Sequence, residues 1–187
     1  MTRSRRGIAL LGALTALACA LPASAAAAEW THEGEPLEET AELGFSGPAK
    51  FTTAIGSYEC TIHVLVDLEP GSTGQVTAFE ATTGTCEGTG SLAGCTLAED
   101  STSGLPWGVQ VTATTFDISG VSLRNVYGLG CAVAETVLTA ESVVATPDEA
   151  GAIGAVALSG AGKVNGVLSA TISGQLEADA PGTYGIG

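Results

Sequence analysis

Apolar and polar residues alternate along residues 58–68, the most regular stretch of the chain. Apolar side chains occupy nearly every second position from Cys60 to Leu68, and mostly charged or hydroxyl-bearing side chains lie between them. A period of two is typical of a β-strand with one face on a core and the other in water. The turn-forming residues 69–74 follow, and the alternation then resumes. The pattern therefore predicts a β-hairpin made of residues 58–68 and 75–86.

The rest of the chain repeats this arrangement of short strands between glycine-rich turns. The pattern predicts further strands over residues 42–46, 49–55, 109–115, 131–139, 152–158 and 167–178, with a pair of strands that turns at Ser119-Gly120 and a loop over 159–166. Residues 37–43 fit either a short helix opened by Pro36 or a loop that ends in an edge strand. Residues 131–139 would also suit a helix, but the cysteine and the β-branched residues favour a strand.

The number and spacing of these strands indicate the fold class. Many short strands with a turn roughly every 8–12 residues are typical of all-β proteins. We therefore predict an antiparallel β-sandwich or barrel of short strands. Small residues are abundant and large apolar ones are few, so covalent links should matter to its stability.

The N-terminal residues have the pattern of an export signal. Three arginines precede an apolar run over residues 7–21, and small residues with an Ala-x-Ala motif follow it. This order predicts a cleavable signal peptide over residues 1–25 and a single secreted domain over 26–187. An uncleaved N-terminal anchor is the alternative. After cleavage we expect no membrane span, and a protein that is secreted or held at the cell surface.

The charge of the expected mature chain is strongly negative. Beyond residue 25 the cations are Lys50, Arg124 and Lys163, and set against 20 acidic residues they leave a net charge of −17. Such a chain is repelled by nucleic-acid phosphates and by anionic membrane surfaces. No basic cluster is present to overcome that repulsion, so we expect no nucleic-acid partner.

Four cysteines remain in the expected mature chain, namely Cys60, Cys86, Cys95 and Cys131. An even number in an exported protein predicts two disulfides, and no C-x-x-C spacing points to zinc. The pairing Cys60–Cys86 with Cys95–Cys131 is favoured, because the predicted hairpin brings the first two within one position and a bulge at Gly84 would align them. The other two pairings stay open.

The residues that could carry chemistry are few. His32 and His63 are the only imidazoles, and we predict that His63 is a partly exposed structural residue. The segment 44–47 falls short of a nucleophile elbow, and 159–163 lacks the first glycine and the hydroxyl of a phosphate-binding loop. We predict that Trp107 packs in the core. Acidic residues near 33–42 or 99–100 could hold calcium, but no calcium-loop motif is present, so we expect no metal and no cofactor.

Several short motifs resemble those of exported proteins from high-GC Gram-positive bacteria. They are residues 30–37, Cys60, Leu68-Glu69-Pro70-Gly71, Gly104-Leu105-Pro106-Trp107, Cys131 and Gly182-Thr183-Tyr184-Gly185. The chain is thus similar to a group of exported four-cysteine β proteins. The resemblance implies export and a disulfide-linked β fold, and it carries over no functional residues.

Together these observations lead us to expect an exported, non-enzymatic β domain. Its role would be structural or would depend on binding, at or outside the cell surface, with a protein or a glycan as partner. Two alternatives stay open. The first is a secreted hydrolase that uses a pair of carboxylates. The second is an inhibitor-like module that presents residues 99–107 to another protein.

Overall fold

The computed structural model describes residues 27–128 and 131–187. Thirteen antiparallel β-strands and two single-turn 3-10 helices account for most of this part of the chain, which confirms the all-β prediction. The strands are β1 (Trp30–His32), β2 (Glu35–Pro36), β3 (Ala41–Thr53), β4 (Gly56–Leu68), β5 (Thr73–Ala81), β6 (Glu87–Gly88), β7 (Leu97–Thr102), β8 (Trp107–Val111), β9 (Phe116–Tyr127), β10 (Glu135–Pro147), β11 (Ala155–Val164), β12 (Leu168–Ala178) and β13 (Tyr184–Ile186).

Eight of these strands close into a barrel. Their order around the barrel is β3, β4, β5, β8, β9, β10, β11 and β12, and β12 pairs with β3 to complete the circle. Each strand is antiparallel to both neighbours, so the chain runs up and down around the wall. The short strands β6 and β7 lie between β5 and β8 in the sequence, and they pair with β4 and β9. Of the two predicted architectures, the structure is therefore the barrel.

The predicted alternation fills the barrel interior. The apolar positions of β4, from Cys60 to Leu68, are buried, and the positions between them are partly or fully exposed. On β12 the alternate positions Ala170, Ile172, Leu176 and Ala178 are also buried, Leu168 is partly buried, and the serines and threonines between them are exposed. An eight-stranded barrel is just wide enough for side chains to fill it or to hold one small molecule.

One end of the barrel is closed by the two ends of the described chain. Strands β1, β2 and β13 form a small sheet there, with Trp30 opposite Ile186, and we call this sheet the terminal cap. The Trp30 ring enters the barrel, where it is 1 % exposed and lies 5.3 Å from the ring of Phe116. Its indole Nε1 donates a 2.7 Å hydrogen bond to the carbonyl of Thr73. The terminal cap therefore closes this end mainly by apolar packing.

The opposite end is closed by the chain between β5 and β7. We call residues 82–97 the cysteine cap. The Cys60–Cys86 bridge fastens it to β4, and the Cys95–Cys131 bridge fastens it to the connection between β9 and β10. Both pairings that were favoured from the sequence are confirmed. Disulfides of this kind form in an oxidising compartment, as expected outside the cytosol.

The pairing of Cys60 with Cys86 has a different structural reason from the predicted bulge at Gly84. The bulge between β4 and β5 lies much earlier, beside Leu65 and Val66. Beyond Ala81 the chain leaves the ladder and forms the 3-10 turn Thr83–Thr85, whose Thr85 hydroxyl accepts a hydrogen bond from the backbone N–H of Thr61. That turn brings Cys86 to the strand.

Three breaks predicted inside strands are wrong. Residues 47–48 lie within β3 because that strand pairs with β4 without interruption. Ser119-Gly120 lies within β9: Gly120 has a φ of 77°, but the segments on both sides of it pair with β10 in the same register. Most of the predicted loop 159–166 belongs to β11, and the turn is confined to residues 165–167. Pairing with the neighbouring strands keeps each of these glycine-containing stretches in the sheet.

Two other stretches were ambiguous in the sequence. Residues 37–43 form no helix, and β3 begins at Ala41, which agrees with the alternative of a loop that leads into a strand. Residues 131–134 lie outside regular structure, so the strand predicted from Cys131 begins only at Glu135. The predicted signal peptide lies outside the described residues. Within them, no helix has the length and apolar character that a membrane crossing requires.

Candidate functional site

The barrel contains two adjoining cavities. The first lies in the middle of the barrel, has a volume of about 40 Å³, and is lined by apolar side chains alone. Its wall includes Ile62 of β4, Trp107 of β8 and Ile172 of β12. Phe79 packs against Trp107 with ring centres 5.8 Å apart. The burial of Trp107 confirms its predicted place in the core.

The second cavity lies beneath the cysteine cap and has a volume of about 30 Å³. Its lining combines apolar side chains with hydroxyl and amide groups: Phe51, Thr53, Ile55, Gly56, Tyr58, Leu92, Asn125, Tyr127, Thr136, Leu138 and Val164. Phe51 is half-buried and contributes to the walls of both cavities. An apolar cavity with a few converging polar groups is typical of a small-molecule site. We call this second space the cysteine-end cavity.

Two tyrosines meet at the cysteine-end cavity. The rings of Tyr58 and Tyr127 pack edge to face with centres 5.2 Å apart. The hydroxyls of Tyr127 and Thr136 lie 3.0 Å apart and share a hydrogen bond. In the described part of the chain, the Tyr58 hydroxyl is the single buried side-chain polar atom without a hydrogen-bond partner. Leaving such a group unpaired costs about 1–3 kcal/mol, which makes Tyr58 the most unusual polar residue of the barrel.

Both phenols are neutral near pH 7. Burial, with a smaller contribution from Tyr127, raises the pKa of Tyr58 to about 12, although the nearby Leu97 backbone partly opposes the rise. That Leu97 contact does not have the geometry of a hydrogen bond. Burial also raises the pKa of Tyr127, and the hydrogen bond to Thr136 acts in the opposite direction. Tyr58 can therefore donate a hydrogen bond to an acceptor, but it does not supply a negative charge.

Two large apolar side chains are exposed at this end of the barrel, and we call the part of the rim that they occupy the apolar rim. Ile55 is 36 % exposed and Val167 is 78 % exposed, and they are the exposed large apolar residues among those the structure describes. Ile55 lies in the hairpin turn between β3 and β4, and Val167 lies in the turn between β11 and β12. Since β3 and β12 are neighbours, both turns lie on one side of the rim.

A serine, a histidine and an aspartate meet on the outer wall of the barrel. Ser46 lies opposite His63 in the pairing of β3 with β4. Both side chains contact Asp179, with 3.3 Å from Ser46 Oγ to Oδ1 and 3.3 Å from His63 Nε2 to Oδ2. Nucleophilic catalysis needs the imidazole between the hydroxyl and the carboxylate. Here the carboxylate lies in the middle, so the arrangement links strands and leaves the serine without a base.

The acidic residues are spread over the outside. Within residues 27–128 and 131–187, no three histidine, cysteine or acidic side chains converge in the manner of a metal site. Glu35, Glu38 and Glu39 border an open cleft beside the stacked rings of His32 and Tyr184. Asp100, one of the candidate calcium ligands, accepts a hydrogen bond from the backbone N–H of Ala81. Residues 99–107 include β7 and the start of β8, so much of the proposed inhibitor loop is part of the sheet.

Two carboxylates with shifted pKa values have structural partners. The Arg124 guanidinium donates a 2.8 Å hydrogen bond to Glu135 and lowers the pKa of that carboxyl. Asp148 Oδ1 accepts hydrogen bonds from the backbone N–H groups of Ala155, Gly154 and Glu149, and these bonds lower its pKa. Both shifts favour the ionised form, whereas a general acid needs the opposite shift.

Sequence reasoning missed the residues of the cysteine-end cavity. The alternation on β4 places Tyr58 in phase with the inward Cys60 and Ile62, and this was a usable signal. Phe51 gave no comparable signal, because the predicted break at 47–48 separated its strand from the rest of β3. The Asn165-Gly166 pair was another missed signal, since this dipeptide favours the tight hairpin turn that it forms here. No family model, curated protein or solved structure matches the chain.

Proposed function

We propose that this protein is an exported, non-enzymatic binding protein that acts at or outside the cell surface. The observation that carries the proposal is the barrel interior, which is lined by apolar groups in the middle and by uncharged polar groups beneath the cysteine cap. Such a space offers binding energy and selectivity without a charged group to transfer protons.

The two disulfides support the proposed location. They close loops of 26 and 36 residues, and they would not persist in a reducing cytosol. The N-terminal pattern of arginines followed by an apolar run supports export. The resemblance to exported four-cysteine β proteins also points to export, and export itself stays a prediction. The acidic exterior would keep nucleic acids and anionic membrane surfaces away, which leaves neutral molecules, proteins and glycans as partners.

The proposal is tested with the full chain expressed in a host that exports it. We expect N-terminal sequencing of the secreted product to show cleavage near residue 25. Native mass spectrometry of material purified gently from its own producer should show additional mass that is lost on denaturation. A panel of hydrolase substrates should show no turnover. Turnover that disappears when one carboxylate is replaced would instead support the hydrolase alternative, and a protein that carries no partner would contradict binding.

A further inference from the structure

We propose that the cysteine-end cavity binds a small, neutral and mainly apolar molecule of about one ring, and that Tyr58 donates a hydrogen bond to its single acceptor group. The inference rests on the proposed binding function and names the site and the ligand class. Four observations carry it: the shape of the two cavities, the unpaired hydroxyl, the lack of charge in the lining, and the apolar rim.

The size of the ligand follows from Phe51. Cavities of about 30 and 40 Å³ are each too small for an organic ring, since benzene occupies a cavity of about 150 Å³. Phe51 belongs to the walls of both cavities, and because it is half-buried its ring can turn toward the rim. That rotation would join the cavities and free the volume of one phenyl ring. The space then suits a ring with a short substituent.

The polar part of the ligand follows from Tyr58. A buried hydroxyl without a partner lowers stability, and proteins keep such features where function requires them. The raised pKa keeps this hydroxyl protonated, so it acts as a donor. A carbonyl or ether oxygen on the ligand would complete the missing hydrogen bond. We therefore assign to Tyr58 the recognition of one acceptor atom.

The neutrality of the ligand follows from the lining residues. None of the side chains that line either cavity is charged. An ion that entered would lose its hydration without gaining a counter-charge, which is strongly unfavourable. The negative charge of the chain adds a further barrier to anions. Carboxylates of otherwise suitable shape should therefore be rejected.

The apolar rim supplies an entrance. Ile55 belongs both to the exposed rim and to the lining of the cavity. The cysteine cap is held beside it by a 2.8 Å hydrogen bond from the Ser91 N–H to the carbonyl of Ile55. An apolar molecule can lose water at Ile55 before it reaches Phe51. The disulfides hold the cap in place, so the moving part is the Phe51 side chain.

The test uses three probes of similar shape, namely acetophenone, ethylbenzene and benzoate, titrated by NMR into the full disulfide-bonded protein. We expect acetophenone to shift the ring signals of Phe51 and Tyr58, ethylbenzene to bind at the same place more weakly, and benzoate not to bind. In Tyr58→Phe, acetophenone affinity should fall roughly 2- to 12-fold, the contribution of one neutral hydrogen bond, and ethylbenzene affinity should stay unchanged. Tyr184→Phe, in the terminal cap, is the matched control and should change neither.

A second variant tests the proposed movement of the Phe51 ring. Phe51→Ala should bind both neutral probes more tightly than the wild type, because the cost of turning the ring is removed. Equal acetophenone affinity in the wild type and Tyr58→Phe would overturn the role of Tyr58. Benzoate binding, absence of binding by all three probes, or no gain in Phe51→Ala would overturn the site. If the native protein still carried a partner in those cases, the binding function would stand and this site would not.

Discussion

The two ends of the barrel differ in what closes them. At the terminal cap, Trp30 and Ile153 are almost completely buried, and β1 pairs with β13 beside them. At the cysteine cap the buried aliphatic side chains are mainly Leu92 and Leu97, and two disulfides hold the chain in place. Beneath the cysteine cap lie a cavity and an unpaired hydroxyl, whereas the Trp30 Nε1 at the other end has its acceptor.

This difference shows how a chain poor in large apolar residues distributes them. One end receives enough apolar surface to be closed by packing, and each fully buried large side chain contributes about 1.5–3 kcal/mol. The other end is closed by covalent links, which stabilise it without filling the space below. Since a covalently held cap tolerates imperfect packing, the cysteine end can hold a cavity that the terminal end cannot.

The largest expected effect comes from removing both disulfides. Their loops of 26 and 36 residues predict a loss of about 3.5–4 kcal/mol for each bridge, a large part of a typical stability of about 5–15 kcal/mol. The C60A/C86A and C95A/C131A variants each remove one of the two bridges. In both variants, hydrogen exchange should become faster first in residues 82–97 and later in the terminal cap. Equal loss of exchange protection at both caps in either variant would contradict the view that disulfides close one end of the barrel and apolar packing closes the other.

Trp30→Ala should destabilise the opposite end. Loss of this buried ring predicts a decrease of about 3–5 kcal/mol in the free energy of unfolding, measured by chemical denaturation. Trp30→Phe is the control that keeps a ring but removes the indole N–H that donates to the Thr73 carbonyl, which retains its hydrogen bond from the Glu69 N–H. Its free energy of unfolding should therefore lie between those of the wild type and Trp30→Ala. If β1 and β13 kept their exchange protection in Trp30→Ala, packing would not be what closes this end.

Thr136→Val removes the hydroxyl that shares a hydrogen bond with Tyr127 below the cysteine cap. It should cost about 1–2 kcal/mol in the free energy of unfolding, because the Tyr127 hydroxyl loses its partner. Thr171→Val, at an exposed position of β12, is the matched control and should change stability by less than about 0.5 kcal/mol. Equal effects of the two variants would show that the Tyr127 hydrogen bond does not stabilise this end.

Tyr58→Phe should have a smaller effect of opposite sign. Removing an unpaired buried hydroxyl should leave stability at pH 7 unchanged or raise it by up to about 1 kcal/mol. Because the pKa of Tyr58 in the folded protein is about 12, above its ordinary value of 10.0, the wild type should lose stability as the pH rises from 10 to 12. Thermal unfolding across that range should show a shallower decline in Tyr58→Phe. A destabilised variant at pH 7 would mean that the hydroxyl has a partner.

Asp148→Asn should have the smallest effect, at the terminal end. The three backbone hydrogen bonds to Asp148 Oδ1 lower its pKa below 3.8, so its contribution to stability is present above that pH and is lost as the pH falls further. The variant should be slightly less stable than the wild type at pH 7, and the difference should shrink toward pH 2. Melting temperatures measured across this range give the comparison, and a constant difference would exclude the carboxylate as its cause.

The parts of the fold that follow from local patterns could be predicted from the sequence. Alternation identified the inward face of β4. The even number of cysteines predicted two disulfides, and the hairpin favoured the pairing that they have. Closure into a barrel could not be predicted, because pairing between β12 and β3 joins residues far apart in the sequence. Gly120 illustrates the other limit, since a glycine with a positive φ fits a turn or a position within a strand, and only the pairing of both flanking segments with β10 decides between them. The cysteine-end cavity could not be predicted for the same reason, because its lining comes from strands that are far apart in the sequence.

The terminal cap also determines how the molecule can be attached to something larger. The backbones of Glu29 and Gly187 exchange hydrogen bonds of 3.1 and 3.0 Å, so the two ends of the described chain emerge side by side. The cysteine-end cavity lies at the far end of the barrel. A tether, a fusion partner or a solid support joined at either end of the described chain would therefore hold the molecule by the terminal cap and leave the cysteine cap at the free end.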